Sequence, residues 1–270
     1  MIFSRLIRRI FNPILIADIQ SAIGWNKFDE EKEIRRISAV ERFTVGNTKL
    51  IKADFQFIDS ASFIYQYLEI FKKEIFFFQT NSHKPRIIDC GANVGVSVCF
   101  FKKIYPNSRI SAFEPDPKIF KLLENNTKTI ANEGLKLHNS AVWDKKGSIS
   151  FKQNDSDGGK ICQSGNTLVK TVRLSDFLNE KVDLLKIDIE GAEKVVLPSI
   201  EDQLSNVDKL FLELHVSPDD LQLLEDACSI LRRNNFRYKI ETVGNVSFRS
   251  FEEADTFEMQ LNVYAEKKNS

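Results

Sequence analysis

From Arg86 onward the chain alternates short apolar runs with longer amphipathic ones, and no other feature constrains its fold as much. The spacing predicts strands over 86–90, 109–113, 135–142, 182–188 and 210–215. Helices are predicted between them, over 95–105, 116–131, 191–199 and 218–233. Strand–helix alternation of this kind implies right-handed crossovers and a parallel sheet covered on both faces, the α/β class. Two further runs, 237–242 and 259–265, have no helical pattern between them and read as an antiparallel hairpin at the sheet edge. The alternation breaks once. Runs GSISFK and TLVKTV read as strands flanking the polar stretch 153–166, a long loop of the kind that is mobile, functional or simply a hairpin.

The part before Arg86 is different. Residues 1 to about 40 read as helical segments of mixed charge, and DEEKEIRR over 29–36 as a solvated helix face. Runs 41–45 and 49–53 flank Gly46-Asn47, which reads as a hairpin turn. Residues 60–71 read as a helix with Ser60 as N-cap, and Asn81, Ser82 and Pro85 mark a boundary. The expected organisation is an N-terminal extension over 1–80, packing on a catalytic domain over 81–270. With 270 residues the chain can bury an extensive core without a disulfide or metal staple. Lys and Arg total 38, as do Asp and Glu, which argues against a nucleic-acid binder that relies on bulk positive charge. The four cysteines, Cys90, Cys99, Cys162 and Cys228, form no C-x-x-C pair, so no metal module or disulfide framework is expected and a reducing, cytoplasmic setting is. Residues 1–16, MIFSRLIRRIFNPILI, form a basic amphipathic stretch. It reads either as a terminal helix packed on protein or as a peripheral contact with an anionic membrane face.

The chemistry concentrates where strands end. Ile87-Ile88-Asp89-Cys90-Gly91-Ala92-Asn93-Val94-Gly95 takes an apolar strand through a Gly-rich turn into a helix, where a ligand can approach the helix N-terminus. The second strand ends in Phe113-Glu114-Pro115-Asp116, and Glu114 follows Gly91 by 23 residues. A carboxylate there typically accepts from ribose hydroxyls. Asp89, two residues before the first Gly, is the wrong charge to face a pyrophosphate. It would suit a cofactor with an ammonium group and no phosphate, such as S-adenosylmethionine. Its structural alternative is a cap on the turn. The fourth strand ends in Lys186-Ile187-Asp188-Ile189-Glu190-Gly191, with Asp188 and Glu190 on one side if the strand runs that far. The fifth ends in Leu212-Glu213-Leu214-His215. Period two puts Glu213 and His215 on one face, a carboxylate beside a general base that works near neutral pH. The alternatives are a Glu213–Lys186 pair and a capping role for His215. Carboxylates with a histidine also suit a divalent metal, but no ligand spacing supports one, and none is assigned.

These residues make the chain resemble the FkbM-type methyltransferases. The matching pieces are IIDCGANVGVSVCFF, SAFEPDP, NSAVWDKKGSISF, TVRLSDFL, LLKIDIEGAEKVVL and LFLELH, which together span about 86–215. The resemblance implies a class I methyltransferase, Rossmann-like fold, with a seven-stranded, mostly parallel sheet in strand order 3-2-1-4-5-7-6. It implies S-adenosyl-L-methionine as cofactor and O-methylation of a sugar, glycan or natural-product hydroxyl. Asp89, Gly91, Ala92, Asn93 and Gly95 would surround the methionine part, Glu114 the ribose, and Asn139 and Ala141 the adenine. Asp188 and Glu190 would face cofactor and acceptor. His215 is expected as the base that takes the hydroxyl proton, oriented by Glu213 or Asp188. The competing expectations are a nicotinamide-dependent oxidoreductase or epimerase, and a non-catalytic membrane- or partner-binding module on the same fold.

Overall fold

The computed structural model describes residues 29–131, 133–152, 160–161, 165, 167–217, 221–244 and 259–268. The basic stretch 1–16 and most of the loop 153–166 lie outside the described residues.

The apolar runs become strands because both faces of each are covered. In β3 (Arg86–Cys90), Ile87 and Ile88 point to opposite sides and both are fully buried. Beside it run β4 (Arg109–Phe113), β5 (Leu135–His138), β10 (Leu184–Ile187) and β11 (Lys209–Val216), all parallel. The edge is antiparallel, as expected: β13 (Met259–Lys267) pairs with β11, and β12 (Phe236–Thr242) with β13. The order is β12-β13-β11-β10-β3-β4-β5. Numbered within the sheet, that is 3-2-1-4-5-7-6, the class I methyltransferase arrangement. The four intervening helices are α3 (Val96–Ile104), α4 (Pro117–Thr127), α5 (Glu193–Ser199) and α6 (Gln222–Arg233).

Four local expectations are corrected. The run 135–142 is two strands. After β5 the chain turns at Ser140, and β6 (Ala141–Trp143) leaves for a second sheet, ordered β6-β9-β7-β8. In that sheet β7 (Gly147–Lys152) and β9 (Thr167–Arg173) pair antiparallel, with the short β8 (Lys160–Ile161) beside β7. Gly46-Asn47 is no turn. Both lie inside β1 (Gly46–Thr48), which pairs with β2 (Phe55–Phe57). Gly46 is needed for packing, since a Cβ there would come within 2.4 Å of the Phe57 ring. The helix α2 (Ser60–Tyr67) is capped by Asp59, whose Oδ2 accepts from the Ser62 amide at 3.0 Å, while the Ser60 hydroxyl donates to the Val40 carbonyl. Finally, β10 stops at Ile187, so Asp188 and Glu190 are placed by a loop and not by strand alternation.

The N-terminal segment shares a core with the sheet. One apolar layer joins Phe55, Phe57, Phe63, Tyr67, Ile70 and Phe76 to Ile87, Phe100, Phe101 and Phe211. The stack Phe57–Phe63–Tyr67–Phe71 runs down α2 and its one-turn π-helical continuation, Leu68–Lys72, and ends edge-on against Phe100. Each fully buried ring contributes roughly 1.5–3 kcal/mol by transfer from water, so this layer fixes α2 against the sheet. The charged run becomes α1 (Glu30–Ser38), a largely exposed helix with Glu31–Arg35 and Glu33–Arg36 pairs along it.

Candidate active site

The path of the chain at the carboxyl edge is set by two glycines. After β3, Gly91 adopts φ +96° and brings its own amide and that of Ala92 onto the Phe113 carbonyl, at 3.1 and 2.9 Å. A Cβ on Gly91 would lie 1.9 Å from the Asp188 carbonyl oxygen, so only glycine lets the two strand exits meet. Gly95, also at φ +96°, starts α3 and packs so closely that a Cβ would be 2.8 Å from Leu123. Between them, the Asn93 amide donates to Glu114 Oε2 at 3.1 Å, and the Asp116 amide donates to Glu114 Oε1 at 2.8 Å. Glu114 is buried, and burial pushes its carboxyl up to about 8 although both amides pull it down. Asn139 clamps this exit from behind, donating to the Glu114 and Pro115 carbonyls at 2.9 and 3.1 Å.

Beneath the turn sits a buried ion cluster. Lys186 in β10 is in register with Asp89 in β3, so their side chains lie side by side on one face. Lys186 Nζ is 3.2 Å from Asp89 Oδ1 and 3.1 Å from Asp188 Oδ2, and it donates to the Gly91 carbonyl at 2.8 Å. Asp89 Oδ2 accepts from the Ser97 hydroxyl at 2.6 Å. Burial alone would discharge Lys186, which is only 2% exposed. The facing carboxylates of Asp188 and Asp89 override it and raise its pKa above the usual lysine value. One ammonium thus ties together the first strand exit, the Gly turn and the fourth strand exit.

The third group is acidic and surrounds His215. Glu190 sits at φ +57° and Gly191 at φ +93°, a sharp reversal that Glu193 braces by accepting from the Ile189 amide at 2.8 Å. Burial pushes the Glu193 carboxyl up to about 7. Glu190 Oε2 lies 3.9 Å from His215 Nε2, and Glu213 Oε1 lies 4.0 Å from the same nitrogen. Glu213 Oε1 also accepts from Gln260 Nε2 at 2.5 Å. Burial, reinforced by the charge of Asp188, pushes Glu213 up to about 9.

These pieces line one cleft of about 360 Å³, within the roughly 300–1,000 Å³ of small-molecule sites. Of the residues singled out in the sequence, Gly91, Ala92, Asn93, Glu114, Ala141, Asp188, Glu190, Glu213 and His215 all reach its walls. Asp89, Gly95 and Asn139 do not. Asp89 is the counter-charge of Lys186, Gly95 a helix start, and Asn139 a clamp on the chain behind Glu114. Asp188 is held by Lys186, whereas the carboxylates that bracket His215 are Glu190 and Glu213.

The sequence reading offered Lys186 only as a possible partner of Glu213, whereas it pairs with Asp89 and Asp188, and it missed the wall contributed by Tyr65, Glu69, Gln260 and Asn262. For Lys186 a signal existed: a lysine inside the apolar run VDLLKID needs a buried carboxylate partner.

The donor set also fits a cationic cofactor bearing a ribose. Glu114 offers carboxylate oxygens at the end of the second strand. The opposite wall carries Asp188, Glu190 and Glu213, with Lys186 and His215 the basic groups among the described lining residues.

The family model described as the Methyltransferase FkbM domain matches residues 89–238. Methyltransferase 1 of Beauveria bassiana is 27% identical over 238 residues, covering 77% of this chain and 91% of that relative. The 2-O-methyltransferase NoeI of Sinorhizobium fredii is 27% identical over 154 residues, 48% of this chain and 63% of its own. The hexuronic acid methyltransferase AglP of Haloferax volcanii is 27% identical over 149 residues, 52% of this chain and 61% of its own. The family match covers more than half the chain and runs from β3 to β12, through every strand exit that builds the cleft, and the chain therefore belongs to the FkbM methyltransferase family.

Proposed function

We propose that the protein is an S-adenosylmethionine-dependent O-methyltransferase whose acceptor is a hydroxyl of a sugar or glycan. One observation carries this: a single cleft holds a buried carboxylate beside a Gly turn at one end and a histidine bracketed by two carboxylates at the other. When bound, S-adenosylmethionine supplies an electrophilic methyl group on a sulfonium. Glu114 accepts from the ribose hydroxyls, and the turn 91–93 lies along the methionine part. Asp188, fixed by Lys186, faces the ammonium end. His215 Nε2 takes the acceptor's hydroxyl proton as the acceptor oxygen attacks, and Glu190, 3.9 Å from that nitrogen, stabilises the imidazolium that results. Burial keeps Glu213 protonated at neutral pH, so the counter-charge role falls to Glu190. The sugar-type acceptor is supported by two relatives, one named as a 2-O-methyltransferase and one as a hexuronic acid methyltransferase.

Calorimetry with S-adenosylmethionine, S-adenosylhomocysteine and NADH tests the cofactor. The first two should bind, and Glu114→Ala should weaken both. Binding of NADH alone would move the protein to the oxidoreductases. For the base, His215→Ala should lower turnover by about 10²–10⁴-fold with S-adenosylhomocysteine affinity unchanged. A fully active His215→Ala would remove that assignment, and a larger loss in Glu190→Gln would transfer it to Glu190.

A further inference from the structure

The cleft does not end at His215. Tyr65, Glu69, Ile75 and Asn262 in its outer wall also form the inner wall of a second cavity, of about 510 Å³. Tyr264 and Phe77 add aromatic surface to this second cavity, and Tyr65 and Phe77 are 46% and 51% exposed. Both of its lysines are paired with carboxylates, and Glu74 lines it as a further acidic group. Lys73 Nζ lies 2.5 Å from Glu69 Oε1, and Lys239 pairs with Glu241. Asn262 sits at the junction of the two cavities, only 7% exposed, and its Oδ1 has no hydrogen-bond partner among the described residues. A buried acceptor without a donor carries a standing desolvation cost, which a ligand hydroxyl would relieve.

Each feature selects a ligand property. Exposed aromatic faces suit the C–H faces of a sugar ring, and an unsatisfied amide oxygen suits a hydroxyl. Both lysines that line the second cavity are already paired, so a ligand carboxylate would find no uncommitted cation among the described lining residues, while Glu74, which no lysine pairs there, would repel it. A single ring placed at His215 would leave the second cavity unused.

Building on the acceptor class proposed above, we infer that the acceptor is an uncharged oligosaccharide of at least two rings. Its reactive ring lies at His215. The next ring lies against Tyr65 and Tyr264, with one hydroxyl donating to Asn262 Oδ1.

The test is saturation-transfer NMR on the full chain saturated with S-adenosylhomocysteine. The probes are neutral cello-, chito- and malto-oligosaccharides of one to four rings, and oligogalacturonates of the same lengths. At least one neutral series should bind about tenfold more tightly from two rings upward. Tyr65→Ala, at an exposed position where folding is safe, and Asn262→Leu should each remove that gain while leaving S-adenosylhomocysteine affinity unchanged. Affinity independent of ring number, tighter binding of the galacturonates, or an unchanged gain in Tyr65→Ala would overturn the inference. If S-adenosylhomocysteine binds and no saccharide does, the subsite alone is refuted. If S-adenosylhomocysteine itself fails to bind, the functional proposal beneath it falls as well.

Discussion

Replacing Lys186 by Met keeps most of the stem and removes the charge. Asp89 then stays with no exposed surface and, among the described residues, keeps the Ser97 hydroxyl as a side-chain donor at 2.6 Å. At 3.2 Å and an effective dielectric of about 20, the lost attraction to Asp89 is of order 5 kcal/mol. Removing one partner of a buried pair generally destabilises by about 3–5 kcal/mol, which agrees. Asp188 adds less, because its side chain is 26% exposed and water screens it. For a chain of this size about 2–4 °C of Tm goes with each kcal/mol, so Lys186→Met should melt roughly 6–20 °C lower by calorimetry. The double variant Lys186→Met, Asp89→Leu removes both charges and should recover much of the loss, since what destabilises is the orphaned carboxylate. S-adenosylhomocysteine affinity should remain weakened in the double variant, because the tether to the Gly91 carbonyl is still missing. A single variant as stable as the parent, or a double variant worse than the single, would refute the cluster as the element that holds the turn.

Three other expectations follow from the same edge. Glu193 is fully buried with its carboxyl raised to about 7, so its contribution to stability is present below about pH 4.5 and is lost as pH rises toward 7. Glu193→Gln keeps an acceptor for the Ile189 amide and should flatten that decline by up to about 3 kcal/mol in denaturant titrations across this window; an unchanged pH slope would count against it. Glu114, raised to about 8, must give up its proton to serve fully as a carboxylate acceptor, so S-adenosylhomocysteine should bind more tightly from pH 6.5 to 8.5 and release a proton on binding. Glu114→Gln should abolish that trend in calorimetry run in two buffers of different ionisation enthalpy. Gly91→Ala would place a methyl 1.9 Å from a backbone oxygen at a left-handed φ, and should yield protein that fails to fold or to bind S-adenosylhomocysteine.

The sheet was legible because each central strand is covered on both faces and each crossover carries its own amphipathic helix. The turn 91–95 and Glu114 were legible because their spacing follows from backbone geometry alone. What could not be read depends on partners far apart in the chain. Asp89 was judged against a ligand, but its charge is answered by Lys186, which lies 97 residues later and beside it only once β3 and β10 pair. The run 135–142 looked continuous because apolar character persists across the Ser140 turn while the pairing partner changes from β4 to β9. In α2 and its π-helical continuation Phe63, Tyr67 and Ile70 form the packing face, and the opposite face, which borders the cleft, had no local signature in the sequence.

That division within α2 matters for how acceptor choice can change. The donor half of the cleft is made largely from the path of the chain: two left-handed glycines, the amides on Glu114, and the Gly91 carbonyl held by Lys186. A substitution there disturbs the turn itself. The outer half is made from side chains on α2, its π-helical continuation and β13, and this helical segment is anchored through its other face by Phe63, Tyr67 and Ile70. Tyr65 and Glu69 can therefore vary without disturbing the aromatic layer that fixes the helix. Tyr65→Leu, at an exposed position, should shift unfolding by no more than about 0.5 kcal/mol. If this face selects the acceptor, the same variant should change the ranking of saccharides while binding S-adenosylhomocysteine as before. A large loss of stability would mean that Tyr65 supports the fold, and the separation of donor half from acceptor half would have to be abandoned.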